Sequence, residues 1–146
     1  MRTRRITKAD FDRIVAVSDH WWGGPISTFA HPIFFYELGK HALIAEDREE
    51  GMIGFLLGFV AQEPARTGYV HLVGIHPQFR RRGVGRLLYQ TFTEECRVDG
   101  CNRMKAITTP GHEGSIRFHL ALGWDNIEVA DYAGPDRARI VFARDL

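Results

Sequence analysis

Apolar residues change their spacing along this chain, and each change marks an element. Arg2 to Ile6 has the length of a short strand, and Thr7-Lys8-Ala9-Asp10 has capping-box spacing ahead of Phe11, Ile14 and Val15, which predicts a first helix. His20-Trp21-Trp22-Gly23-Gly24-Pro25 predicts a break, and Phe29 to Leu38 a second helix with an aromatic face. His41 to Glu46 and Met52 to Ala61 read as strands joined by the charged turn Asp47 to Gly51, with Tyr69 to His76 continuing an antiparallel meander. That strand stops at Pro77, which has no N–H for a ladder. Val84, Leu87, Leu88, Phe92 and Cys96 recur at helical spacing, so a helix runs from Gly83 to near Asp99-Gly100. Arg103 to Thr108 reads as a strand and Gly111 to Leu122 as a helix closed by Gly123. Asp125 to Ala130 and Ala138 to Ala143 supply the last strands. Strand, helix, strand in succession implies a crossover to a parallel neighbour, hence an α/β fold with a mixed sheet covered by helices.

Length and charge narrow this picture. A chain of 146 residues, 45% of them hydrophobic, suits one domain over 1–146 and is too short for two ordinary ones. A net charge of +1 provides no broad basic field, so a nucleic-acid partner is not expected. No apolar stretch is long enough to span a bilayer, and Met1 to Ile6 lacks the apolar core of a signal peptide, which makes a cytoplasmic protein without a membrane partner the expectation. Cys96 and Cys101 form neither a disulfide framework nor a zinc pattern; Cys96 reads as core, and no metal is expected.

The candidate chemistry centres on Arg80-Arg81-Arg82-Gly83-Val84-Gly85-Arg86, between the strand ending at His76 and the following helix. At a helix start the first N–H groups lack partners and the macrodipole favours an anion, while glycine lets the backbone come close to it. The third glycine of a dinucleotide fingerprint and the Lys-Ser/Thr of a Walker loop are both missing, so a diphosphate on another carrier fits better. The arginines add positive charge, yet main-chain N–H groups are the expected ligands.

Arg80, Gly83 and Gly85 match the Arg/Gln-x-x-Gly-x-Gly/Ala signature of the GNAT superfamily of acyl-CoA-dependent N-acetyltransferases, which this chain resembles. Ser115-Ile116-Arg117-Phe118-His119-Leu120-Ala121-Leu122-Gly123-Trp124 is similar to the family's second characteristic helix and its Leu-Gly-aromatic ending. The resemblance implies a mixed, mostly antiparallel sheet of six to seven strands flanked by about four helices. It also implies acetyl-CoA as cosubstrate, held by Arg80, Arg81, Arg82, Gly83, Val84, Gly85 and Arg86. In the family the strand bearing Val73 and Ile75 and the strand bearing Ala106 splay apart, freeing backbone groups for the pantetheine arm and acetyl carbonyl, with Gly74 easing the irregularity. Where many members carry Asn and Tyr on the second helix, this chain has His112 and His119.

The resemblance thus implies transfer of an acetyl group to a primary amine of a small molecule by direct attack in a ternary complex. A protein or peptide acetyltransferase and a non-catalytic acyl-CoA sensor are the alternatives, and a homodimer is left open. His119, able to carry a proton near neutral pH, stands where the family's tyrosine protonates the departing thiolate; a packing role is the competing reading. His112 is expected to orient CoA or cap its helix. His71 alternates with Val73 and Ile75, so all three should share one face and place His71 as the base; a backbone-bonded core histidine is the competing reading. Trp21 and Trp22 are expected to wall the acceptor pocket, with core burial as their default, and Glu37 and Glu46 are candidates to neutralise an ammonium.

Overall fold

In the computed structural model, which describes residues 1–146, the chain runs β1 (Arg2–Arg5), α1 (Lys8–Trp22), α2 (Ile33–Tyr36), β2 (Leu43–Asp47), β3 (Gly51–Ala61), β4 (Thr67–Ile75), α3 (Val84–Val98), β5 (Arg103–Thr108), α4 (Glu113–Ala121), β6 (Asp125–Val129) and β7 (Arg139–Asp145). The strands form one sheet in the order β1-β2-β3-β4-β5-β7-β6. Every neighbouring pair is antiparallel except β4 and β5, which are joined through the α3 crossover. This is the expected mixed α/β sheet with four helices.

The N-terminal third departs from the sequence pattern for identifiable reasons. Thr7 and Asp10 form the expected capping box at the start of α1. The helix then continues through Trp22 rather than breaking at His20, because Phe11, Ile14, Ser18 and Trp21 extend one buried stripe at helical spacing. Gly23, in the left-handed region at φ 82°, ends it. The helix expected from Phe29 to Leu38 is replaced by a 3-10 turn at Ser27–Phe29, the single turn α2 and another 3-10 turn at Gly39–His41. Pro32 disfavours helical torsions at His31 and cannot continue a hydrogen-bonded helix through that point.

Each face of the sheet buries its own cluster. Ile14, Trp21, Phe34, Phe55 and Leu57 pack under α1 and α2, while Leu56, Leu88, Phe92, Met104 and Phe142 pack under α3 and α4. Phe55, Phe92 and Phe142 are fully buried, each contributing about 1.5–3 kcal/mol of transfer free energy. Helix α3 lies close enough to the sheet that Cβ atoms added at Gly54, Gly58 and Gly68 would stand 2.7, 2.8 and 2.4 Å from Val84, Phe92 and Cys96.

Two irregularities in β4 shape the site. Its register with β3 shifts from Leu57↔Leu72 to Gly58↔Val70, leaving His71 as the extra residue of a bulge. Val70 before the bulge packs under α3 and Leu72 after it packs under α1. The alternation expected of His71, Val73 and Ile75 is therefore broken. His71 stacks on Phe34 of α2, with ring centroids 4.1 Å apart, whereas Val73 and Ile75 pack toward the α3 cluster. The bulge lies at His71 and not at Gly74, whose missing Cβ instead accommodates the Phe55 ring, 2.5 Å from that position. Secondly, β4 pairs with β5 only from Thr67↔Arg103 to Val70↔Ala106, although β4 continues to Ile75 and β5 to Thr108. The expected splay is present.

Candidate active site

The loop from β4 to α3 makes the anion cradle. Arg81 and Gly83 both occupy the left-handed region, at φ 59° and 84°, which curves the main chain ahead of α3. No side chain caps α3; its first internal bond runs from Leu87 N–H to the Gly83 carbonyl at 3.0 Å, and the N–H groups of Val84, Gly85 and Arg86 meet no acceptor. Successive free N–H groups at the positive end of a 15-residue helix form a concave anion site. Gly83 supplies a torsion that an L side chain adopts only at a cost, with open space around it. Gly85 has a different reason from the one expected, since its absent Cβ lies 3.1 Å from the Phe118 ring and lets α3 and α4 touch. The arginine side chains are partly committed elsewhere: Arg80 donates to the Trp21 carbonyl, and Arg82 lies over the Phe79 ring at 4.6 Å.

Beside the cradle a cavity of about 700 Å³ opens between Val73 and Ile75 on β4, Phe118 and His119 on α4, and the turn after α1 at Trp22. His76 N–H bonds the Ile53 carbonyl at 2.8 Å, so by strand alternation Gly74 and Leu72 bond to β3 while the N–H and C=O of Val73 and Ile75 face the opposite edge. That edge has no β5 partner. The site therefore offers unpaired main-chain groups beside an apolar channel leading from an anion cradle.

The sequence from residue 11 to 124 matches the model of the acetyltransferase (GNAT) family. The chain belongs to this family. No curated protein matches it by sequence. Among solved structures it is similar to the NatC complex bound to Gag peptide and CoA, with TM-score 0.83, 14% identity and coverage of 99% of this chain and 98% of that one. Ard1 from Thermoplasma volcanium aligns with TM-score 0.81 and 16% identity over 99% and 97% of the two chains. An aminoglycoside 6'-N-acetyltransferase complexed with coenzyme A aligns with TM-score 0.76 and 15% identity over 99% and 97%. The GNAT chain is an acetyltransferase that uses acetyl-CoA, and its residues fit that cosubstrate: the free N–H groups of Val84 to Arg86 suit a pyrophosphate, and the open β4 edge suits an amide-bearing arm. No helix is long and apolar enough to cross a membrane, and no group of three or more His, Cys, Asp or Glu is placed to hold a metal ion.

Within the GNAT site the structure separates the sequence candidates. His119 lines the cavity but is only 4% exposed, stacked on Phe142 at 4.0 Å. Its Nδ1–H donates to the Ser115 carbonyl at 2.8 Å, so Nε2 is the acceptor for the Tyr89 hydroxyl at 2.8 Å. Burial lowers the His119 pKa, against the opposing effect of the Ser115 bond, and burial pushes the Tyr89 phenol up. His119 is thus a neutral ring with both nitrogens engaged. Tyr89 was not singled out in the sequence, since a partnership 30 residues distant leaves no local signal. His112 precedes α4 and lines the cavity, but its side chain makes no cap bond. Gly114, also on the cavity wall, carried no distinguishing pattern, and Ser115 beside it stood out in the sequence only as the start of the family-like helix.

His71 is not among the cavity-lining residues. Its Nε2–H donates to the Phe29 carbonyl at 2.7 Å, leaving Nδ1 as the free lone pair, and burial lowers its pKa below the ordinary value. It follows Val70, the last β4 residue paired with β5, and so stands at the mouth of the splay on the α1/α2 side. The tryptophans divide: Trp21 is 4% exposed against Phe55 and belongs to the core, whereas Trp22 is 41% exposed and lines the cavity. Glu46 is occupied by Arg2 and Arg4, at 2.6 and 2.7 Å, and Glu37 is absent from the cavity wall.

Proposed function

We propose that the chain acetylates a primary amine carried on a small, largely apolar molecule, by direct attack in a ternary complex. The observation that carries this reading is the part of the cavity wall not taken up by the cosubstrate, Trp22, Gly23, Gly24 and Ile26 in the turn after α1, which offers apolar surface and no carboxylate. A polycationic acceptor would find no counter-charge there. Bound acetyl-CoA supplies a thioester acetyl group already activated for transfer to nitrogen.

The protein's part is positioning, charge stabilisation and proton removal. Main-chain N–H groups of Val84, Gly85 and Arg86 hold the diphosphate, with Arg80, Arg81, Arg82 and Gly83 shaping and charging the cradle. The N–H groups of Val73 and Ile75 face the splay, where they polarise the acetyl carbonyl and stabilise charge developing on its oxygen. His71, neutral with a free Nδ1, takes the ammonium proton through a water molecule from the α1/α2 side. His119 has its one ring proton committed to Ser115, so the leaving sulfur recovers a proton from the attacking nitrogen by way of solvent, and His119 fixes α4 against α3. His112 and Ser115 orient the cosubstrate at the start of α4. Trp22 forms one wall of the acceptor site.

A second reading, a peptide or protein α-amine as acceptor, is favoured by the likeness to NatC bound to a peptide and CoA. Phe29 and Tyr36, exposed on the segment after α1, would meet the peptide beyond its first residue. Thiol release from acetyl-CoA separates these readings, measured with an arylalkyl monoamine, an aminoglycoside and unblocked tetrapeptides. Turnover with the monoamine alone supports the proposal, turnover confined to tetrapeptides establishes the second reading, and preference for the aminoglycoside overturns the charge argument.

A further inference from the structure

A second cavity, of about 500 Å³, lies between α3 and the end of β7 and shares no lining residue with the acetyl-transfer cavity. Its wall follows α3 from Arg86 in the first turn to Arg97 in the last, a rise of about 16 Å, and is closed by Leu122, Trp124 and Arg144. Three guanidinium groups, of Arg86, Arg97 and Arg144, face one carboxylate, Glu94, which pairs with Arg97. The wall therefore carries two net positive charges, and Arg86 and Arg144 have no acidic partner.

The floor presents polar atoms to the cavity from residues that are themselves largely buried. Thr93 is 6% exposed and Trp124 2%, and neither the Thr93 hydroxyl nor the Trp124 indole N–H bonds to any protein group. Arg103 Nε is the one unpaired side-chain polar atom sealed from solvent, so the Thr93 and Trp124 atoms are open to a surface, and the cavity is the surface that both residues line. Donors that reach the cavity surface from largely buried residues, an aromatic ring beside them and a doubly positive rim describe a binding site for an anion with a flat apolar body.

We propose that this cavity binds a small organic dianion, a phosphate or dicarboxylate on an aromatic or short apolar group, at the same time as acetyl-CoA occupies the other site. Arg97 and Arg144 would grip the anion, with Thr93 and Trp124 donating from beneath.

Phenyl phosphate is the probe, titrated by calorimetry into the protein saturated with CoA so that the diphosphate cradle is already filled, with sodium chloride at matched ionic strength as control. Saturable one-to-one binding is expected, weakened at least fivefold by Arg144→Gln and by Thr93→Val, with the CoA thermal shift retained in both as the check on folding. Because either variant alone could perturb the fold, Arg97→Gln provides a third position on the exposed rim. Binding that CoA abolishes, a response that sodium chloride reproduces, or an affinity unchanged in folded variants overturns the proposal.

Discussion

Replacing Tyr89 by Phe removes one oxygen from the interior and leaves its ring in place. Tyr89 and His119 are 3% and 4% exposed, and the hydroxyl donates to Nε2 over 2.8 Å. His119 cannot turn toward a new donor without losing the Ser115 bond. The Tyr89 ring keeps its edge contacts with Phe118 and Trp124, at centroid distances of 5.1 and 5.5 Å, so no cavity term enters. What remains is a buried acceptor without a donor, costing about 1–3 kcal/mol. His119→Phe creates the converse defect, an unpaired Tyr89 hydroxyl, and keeps the stack on Phe142. Removing both partners at once strands neither group. Urea unfolding of the two single variants and the double should therefore yield a double that costs less than the sum of the singles by about 1 kcal/mol or more. Additivity within about 0.5 kcal/mol would show that the hydrogen bond contributes nothing specific and would refute the assignment of His119 as a fixed neutral acceptor.

Gly83→Ala should cost about 1–2 kcal/mol, lowering the melting temperature by roughly 3 to 6 °C, because alanine must adopt the left-handed torsion at φ 84°; it should also weaken the CoA-induced thermal shift. Trp21→Ala should cost about 3–5 kcal/mol, while Trp22→Ala should leave the melting temperature nearly unchanged and raise the acceptor KM, which melting curves and initial rates would distinguish. Burial depresses the pKa of both His71 and His119 in the folded state, so the unfolded chain binds more protons below about pH 6.5, and stability present above that pH should be lost progressively as pH falls, before the carboxylates titrate. His119→Phe should flatten that slope in melting curves from pH 7 to 5. His71→Ala should abolish the acidic limb of kcat, and a pH profile identical to that of the parent would remove His71 from proton transfer.

The helix start with its free N–H groups was legible in the sequence because its determinants are local: a proline-terminated strand, two glycines and a helix start fall within ten residues. The splay followed from family resemblance and is visible in the early end of β4–β5 pairing. What the sequence hid were consequences of tertiary register. Period-two reasoning placed His71 with Val73 and Ile75, and a one-residue bulge put it on the other face. The Trp21-Trp22 pair looked like one feature, yet adjacent helical positions point about 100° apart, so one entered the core and the other reached the cavity. Tyr89 and His119 meet across two helices, and spacing within either helix carries no record of that contact.

Gly54 joins the two halves of the site. On β3 it pairs with Ile75, the last residue of β4, and the place where its Cβ would stand is 2.7 Å from Val84, the first residue of α3. One position thus sets how closely the start of α3 approaches the end of β4 across the sheet. On the proposed placement of acetyl-CoA that approach is the span between diphosphate and thioester, and a methyl group at Gly54 would push Val84 away and lengthen it. The spacing between helix and sheet is calibrated there by an atom that is not present.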